Sequence, residues 1–201
     1  NLSNEFVIAV ISKERFLDME NSSSNAGCTI KFREDSIFLD PRNIELGARI
    51  VTNLEKLYLS LKKLGLQSAD KNEYYKLSHE IGIPQINTEK LQNKLFGIEC
   101  NFDELNAIDF KKGCYVGQEN TARIKLKDKL NKRLLPIEVI EGNLENEIIS
   151  DDKDEIGKVL INDNYPYALI KVKNEQFDFS KIFNCGSAKV KIKKPDWLQI
   201  T

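Results

Sequence analysis

Between Asp109 and Arg123 the chain reads Asp-Phe-Lys-Lys-Gly-Cys-Tyr-Val-Gly-Gln-Glu-Asn-Thr-Ala-Arg, its best-equipped run for chemistry. Cys114 and Tyr115 stand between Gly113 and Gly117, with Lys111 and Lys112 ahead and Gln118, Glu119 and Arg123 behind. Glycines at this spacing allow a tight turn, or a closer approach to a ligand than a Cβ would permit. The residues after Gly117 predict a helix opening, with Glu119 and Arg123 one turn apart on one face. A loop feeding a helix N-terminus presents free N–H groups suited to carboxylate or phosphate. Basic neighbours and a helix start both favour thiolate at Cys114, which raises its nucleophilicity and its affinity for metal.

Three roles are open to that sulfur: contact with a cluster or sulfur intermediate, covalent catalysis, or packing as a structural thiol. Covalent catalysis ordinarily needs a neighbouring base, and His79 is the sole histidine. The cluster- or sulfur-related role therefore ranks first and the structural role second, with Cys100 as a candidate companion. Tyr115 suits either stacking on a flat ligand or packing. A Glu119–Arg123 pair suits either ligand contact or a surface bridge worth roughly a few tenths of a kcal/mol.

Lys112 to Glu119 followed by Thr121-Ala-Arg123 resembles the signature of the YgfZ family of folate-binding proteins. That family includes a mitochondrial iron–sulfur assembly factor and is related to the glycine-cleavage T-protein. Asp40-Pro-Arg42, with Leu46-Gly47 and Arg49, is similar to the family a second time, and Asn101, Leu105-Asn106 and Phe110 lengthen the main match. Glu80-Ile-Gly82 lines up with a Glu-x-Gly segment of the T-protein relatives, where the glutamate holds the pterin ring. A carboxylate suits that task by accepting two parallel N–H bonds from an aminopyrimidine edge, and an exposed helix-end acid is the alternative.

The resemblance implies an α+β, aminomethyltransferase folate-binding-like domain over residues 1–130, followed by a small antiparallel C-terminal β-barrel over 131–201. It implies tetrahydrofolate as cofactor, with Glu80, Lys112, Gly113, Tyr115, Gly117, Gln118, Glu119 and Arg123 as its contacts and Cys114 as the key residue. The function implied is that of an accessory factor rather than an enzyme. It would support assembly or repair of iron–sulfur enzymes, including those that modify tRNA, in a bacterial cytoplasm or the mitochondrial matrix. Its partners would be folate and iron–sulfur enzymes or assembly proteins. The alternative is a tetrahydrofolate-dependent aminomethyltransferase of the T-protein kind. There one-carbon transfer relies on an aspartate in an opening segment upstream of anything in this chain. The chain starts at Asn1 and its one methionine is Met19, so the first domain is expected to be N-terminally incomplete.

The elements that must position these residues come from a chain of 201 residues, 41% apolar and 30% charged, enough for one substantial domain or two small ones. No window predicts a membrane span, and Asn1-Leu-Ser-Asn-Glu5 does not read as a signal peptide. Cys28, Cys100, Cys114 and Cys185 form no C-x-x-C pair, which argues against a zinc ribbon or redox dithiol and for reduced thiols. With net charge −1 there is no global basic field. The run of Lys and Arg from Lys111 to Arg133 reads as a solvated face ahead of an RNA site, since no aromatics interleave it over 124–133.

In chain order, 5–11 predicts a strand covered on both faces, 13–18 a short helix, and 20–27 a loop. Strands at 28–32 and 36–39 predict a hairpin, and Pro41 a turn into another extended piece. Asn53 caps a predicted helix with Leu54, Leu57, Leu61 and Leu64 as its apolar positions, beside Tyr58 and closed by Gly65. A second helix starts at Asp70 with Glu73, buries Tyr74, Leu77 and Ile81, and stops at Gly82 before Pro84. His79 is expected to be a partly exposed structural residue. Leu91, Leu95 and Phe96 anchor a loop and short helix. Strands at 133–140, 155–161, 167–173 and 188–193 predict the barrel, which carries no chemistry of its own and braces or covers the site.

Overall fold

The computed structural model describes residues 5–32, 34–113, 119, 121–122, 131–145, 147–152, 154–172 and 177–199. It is a mixed α/β structure of two compact units, Asn1–Glu73 and Tyr74–Thr201.

The first unit is built on an antiparallel sheet. Its strands are β1 (Val7–Ile11), β2 (Thr29–Phe32), β3 (Asp35–Leu39) and β4 (Ala48–Thr52), in the order β1-β4-β3-β2. Alternation along each strand sends Ala9, Ile30, Ile37 and Ile50 to one face, where they register across the sheet. That face closes on Phe16 of α1 (Lys13–Leu17) and on Leu57 of α2 (Leu54–Leu64). The expected hairpin is present as β2–β3, turned through Glu34 at φ 72°. β1 corrects its expectation: it lies at the sheet edge, with β4 as its one neighbour among the described residues, and Ile8 is exposed.

Helix α2 has the expected ends. The Asn53 side chain accepts from the Lys56 N–H at 2.7 Å, and Gly65 closes it. Its apolar stripe, however, is not buried as a whole. Leu57 reaches the core, while Leu54 and Tyr58 stand in solvent. Gly47 has no substitute, because its φ is +78° and an added Cβ would lie 2.1 Å from the Ile11 carbonyl oxygen.

The second unit holds a closed six-stranded antiparallel barrel. Its strands are β5 (Lys132–Glu141), β6 (Ile148–Asp151), β7 (Asp154–Ile161), β8 (Tyr167–Lys171), β9 (Ile182–Cys185) and β10 (Ala188–Ile192). They close in the order β10-β5-β8-β7-β6-β9. Inward residues such as Leu135, Ile149, Ile170, Phe183, Val190 and Ile192 fill the interior. Lys189 and Lys193 face outward, as expected, and pair with Glu141 and Glu138. Strands β6 and β9 were not expected; each is four residues long, and polar Ser150 and Asn184 form their pairing.

Helix α3 (Lys71–Ile81) begins at Asp70, whose carboxylate accepts from the Asn72 N–H at 2.8 Å. One of its expected anchors is displaced. Leu77 is exposed and Ser78 is buried, because the packed face runs through Tyr75, Ser78 and His79. The 3₁₀ turn Thr88–Leu91 follows, held by Lys90 and Asn87 on Asp163. Leu91 and Leu95 pack on the buried cluster of Leu134, Leu160, Ile161 and Tyr167, whereas Phe96 is exposed against expectation. Among the described residues, no helix is long and apolar enough to cross a membrane.

Candidate functional site

Of the residues predicted to carry chemistry, Cys114, Tyr115, Gly117, Gln118 and Arg123 lie outside the described residues. Glu80, Lys112, Gly113 and Glu119 are described, and all four are exposed. Glu119, Thr121 and Ala122 are helical, in line with the helix predicted after Gly117.

The approach to the signature is built from side-chain pins. Asn101 is buried with φ 61°; its Nδ2 donates to the Leu134 carbonyl at 2.9 Å, and its Oδ1 accepts from Arg133 Nη1 at 3.3 Å. Arg133 also pairs with Glu104 Oε1 at 2.7 Å, and the Leu134 N–H donates to the Glu99 carbonyl at 2.8 Å. Glu104 Oε2 is buried without a hydrogen-bond partner among the described residues. These contacts tie the loop around 98–106 to the first residues of β5. Leu105 is buried beside them. Arg133, counted in the sequence among a solvated basic run, is therefore a structural cation at this point.

From Asn106 the chain runs to Asp109, whose carboxylate accepts from the Lys111 N–H at 2.8 Å. That turn delivers Lys112 and Gly113 to the surface. Gly113 has no positive φ, and an added Cβ there meets nothing within 4 Å among the described residues. Backbone strain thus gives no reason for glycine at 113.

Glu80 occupies the last turn of α3 with its carboxylate exposed, the placement of the helix-end acid named as the alternative to a pterin contact. The helix end beneath it is rigidly made. The Gly82 N–H donates to the His79 carbonyl, the Ile83 N–H to the Ser78 carbonyl, and the Trp197 indole N–H to the Ile81 carbonyl at 2.7 Å. His79 is structural, as expected. Its Nε2 lies 3.0 Å from the Pro166 carbonyl, which can only accept, so this nitrogen carries the proton. The ring meets Tyr167 edge-on at 5.2 Å. Burial is the largest influence on it and lowers its pKa, outweighing the Pro166 hydrogen bond.

The sulfur chemistry narrows. Cys28 and Cys100 are partly buried free thiols, and Cys185 is buried. Burial, followed by the charge of Glu99, pushes the Cys100 thiol up to about 11, and burial raises Cys185 as well. In the chain by itself, Cys100 is therefore held as the protonated thiol at neutral pH. Among the described residues, no three His, Cys, Asp or Glu side chains gather as a metal site.

Asp40 is the residue that sequence reasoning undervalued. It entered as part of a second family resemblance and, physically, as the start of a Pro turn, yet its side chain is 1% exposed and clamped. Oδ1 accepts from the Arg42 N–H and Nε, each at 3.0 Å, while Oδ2 accepts from Arg42 Nη2 at 2.7 Å and Arg49 Nε at 2.9 Å. Burial alone would raise its pKa; the hydrogen bonds and charge of Arg42, with the bond from Arg49, outweigh burial and lower it. The available signal was the spacing of one acid and two arginines around a strand-to-strand turn, with Arg42 and Arg49 seven residues apart.

No protein-family model matches the chain. Over 118 residues it is 33% identical to a Dictyostelium discoideum protein named iron–sulfur cluster assembly factor IBA57 homolog, mitochondrial; the match covers 58% of this chain and 29% of that one. A Neurospora crassa protein of the same name is 37% identical over 97 residues, 48% of this chain and 22% of its own. The mouse iron–sulfur cluster assembly factor IBA57, mitochondrial, is 33% identical over 105 residues, 52% of this chain and 28% of its own. The match thus spans less than a third of the length of each of these relatives.

Proposed function

We propose that this chain belongs to an accessory factor for iron–sulfur cluster assembly in the mitochondrial matrix, with Cys114 as its key residue. The observation that carries the proposal is the likeness to relatives from an amoeba, a fungus and a mammal, all named as mitochondrial iron–sulfur cluster assembly factors. The partners on this reading are iron–sulfur enzymes or the proteins that assemble their clusters.

Complementation tests it. In cells lacking the endogenous factor, the protein carrying wild-type Cys114 restores the activity of iron–sulfur enzymes and Cys114→Ala does not. Full restoration by Cys114→Ala, at equal protein level, removes the thiol from the function.

The folate component rests on Glu80, an exposed carboxylate on an ordered helix end, and on the exposed Lys112, Gly113 and Glu119. Bound tetrahydrofolate would meet Glu80 through its aminopyrimidine edge, with Tyr115, Gly117, Gln118 and Arg123 as the other proposed contacts. Titration of tetrahydrofolate onto the purified chain is expected to give saturable binding that weakens in Glu80→Ala and Arg123→Ala. Binding that is absent, or indifferent to both substitutions, rejects folate as its ligand and leaves the assembly role to be judged by complementation.

A further inference from the structure

The last turn of α3 leaves the carbonyls of Ser78, His79, Glu80 and Ile81 beyond the reach of the helix's own hydrogen bonds. The chain that follows closes two of them. The Ile83 N–H returns to the Ser78 carbonyl at 2.9 Å and the Gly82 N–H to the His79 carbonyl at 3.0 Å, with Gly82 at φ 86°. A local closure of this kind does not reach Ile81. That carbonyl is taken by the Trp197 indole N–H at 2.7 Å, from a residue 116 positions away.

Trp197 is carried by a strap that is itself anchored. After β10 the Lys193 N–H donates to the Pro136 carbonyl at 2.9 Å, Pro195 is buried against Gly82, and the Leu198 N–H donates to the Pro195 carbonyl at 3.1 Å. Leu198 is sealed in the barrel core, on which the Trp197 ring also packs. Ahead of Glu80, the His79 ring is held by the Pro166 carbonyl and Ser78 is buried. Both sequence neighbours of Glu80 are therefore tied down. Glu80 itself is exposed and makes no hydrogen bond or ion pair among the described residues. A carboxylate at a helix C-terminus opposes the macrodipole, so helix stability does not call for it. What the surroundings supply is a fixed backbone beneath an unspent acceptor, the arrangement that directional hydrogen bonding to a ligand requires.

We propose that Trp197 is a positioning residue for ligand binding at Glu80. Its indole N–H locks the Ile81 carbonyl and so fixes the direction from which the Glu80 carboxylate meets the aminopyrimidine edge of tetrahydrofolate. The inference rests on the folate reading above, and adds the strap after the barrel to that site. Without the indole N–H, the Ile81 carbonyl loses its partner and the last turn loosens. Two parallel bonds to the ligand must then be made by a carboxylate that is no longer aimed.

Trp197 is the single tryptophan of the 201-residue chain, so an analogue can be placed there alone. Benzothienylalanine keeps the bicyclic shape and puts sulfur in place of the N–H, whereas 5-fluorotryptophan keeps the N–H. Isothermal titration calorimetry reads tetrahydrofolate binding to chains carrying each residue, with and without Glu80→Ala. The benzothienyl chain is expected to bind about tenfold more weakly than the tryptophan chain, the effect of one hydrogen bond, and the fluorotryptophan chain equally well. In Glu80→Ala the benzothienyl replacement should cost less than about twofold, because the strap then has no carboxylate to aim. Trp197→Phe, with unchanged far-UV circular dichroism, should repeat the benzothienyl result. Equal affinity of the benzothienyl and tryptophan chains overturns the proposal, as does an equal loss with and without Glu80, and both leave the folate reading standing. No binding by the tryptophan chain, or binding indifferent to Glu80→Ala, overturns the proposal together with the folate contact at Glu80.

Discussion

Replacing Asp40 by asparagine keeps the shape of the side chain and removes its charge. The carboxylate is enclosed and accepts four N–H donors, three from Arg42 and one from Arg49. Asparagine can keep Oδ1 toward Arg42, but its amide then points an N–H₂ at Arg42 Nη2 and Arg49 Nε, where every partner is also a donor. Breaking one side of a buried ion pair costs about 3–5 kcal/mol. The arginine side chains are 32% and 20% exposed, so water recovers part of the loss. The cost should therefore sit near the lower end, about 3 kcal/mol.

Amide hydrogen exchange resolved to β3 and β4 is the suitable assay, because it reads this unit without the tryptophan, which lies at position 197. A loss of about 3 kcal/mol lowers protection roughly a hundredfold, at 1.4 kcal/mol per factor of ten. The pH dependence supplies a second reading. The folded pKa of Asp40 is depressed below 3.8, so the unfolded chain binds more protons and stability falls as the solution is acidified. The contribution of Asp40 is complete above its unfolded value and is lost as pH falls through the folded one. Asparagine should abolish that acid limb. Protection within threefold of wild type, with the acid limb intact, would refute the account of Asp40 as the clamp of this turn.

Gly82→Ala should cost at least about 2 kcal/mol, since it forces a side chain onto a left-handed backbone. At φ +86° the new Cβ would also lie 2.3 Å from Pro195 Cγ. Trp197 fluorescence should follow the change during urea unfolding, as its indole N–H is bonded at that helix end. The depressed His79 pKa predicts that stability is full above about pH 6.5 and falls as pH drops below it, until the folded pKa is passed. Urea midpoints between pH 8 and pH 5 should show this slope, and His79→Phe should flatten it. At pH 8, alkylation of Cys100 by iodoacetamide should be roughly a hundredfold slower in the native chain than in urea, because a thiol at about 11 is almost entirely protonated. Peptide mass spectrometry reads that ratio, and equal rates would count against a buried thiol.

Local periodicity accounts for what was legible. The hairpin β2–β3, the caps of α2 and the alternation of Val190 and Ile192 against Lys189 and Lys193 are short-range patterns, which the chain shows without knowledge of its neighbours. Errors arose where burial depends on what lies opposite. Ile8 looked like the middle of a covered strand and is at a sheet edge, while Leu54, Tyr58 and Leu77 sit in helical stripes yet face solvent. Strands β6 and β9 were missed because four residues with polar Ser150 and Asn184 at their pairing carry too little period-two signal to stand out.

The candidate site divides along the same line. Residue types and spacing alone mark Cys114 between two glycines, Glu80 at a helix end and four cysteines without a C-x-x-C spacing, since these follow from side-chain chemistry and turn propensity. Tertiary structure decided which ionisable groups are spent on the fold: Asp40 on two arginines, Arg133 on Glu104 and Asn101, and His79 on the Pro166 carbonyl. It also decided that Cys100 is held as a thiol by burial. Charge state and pairing depend on groups tens of residues away in sequence, and only folding brings those groups within reach.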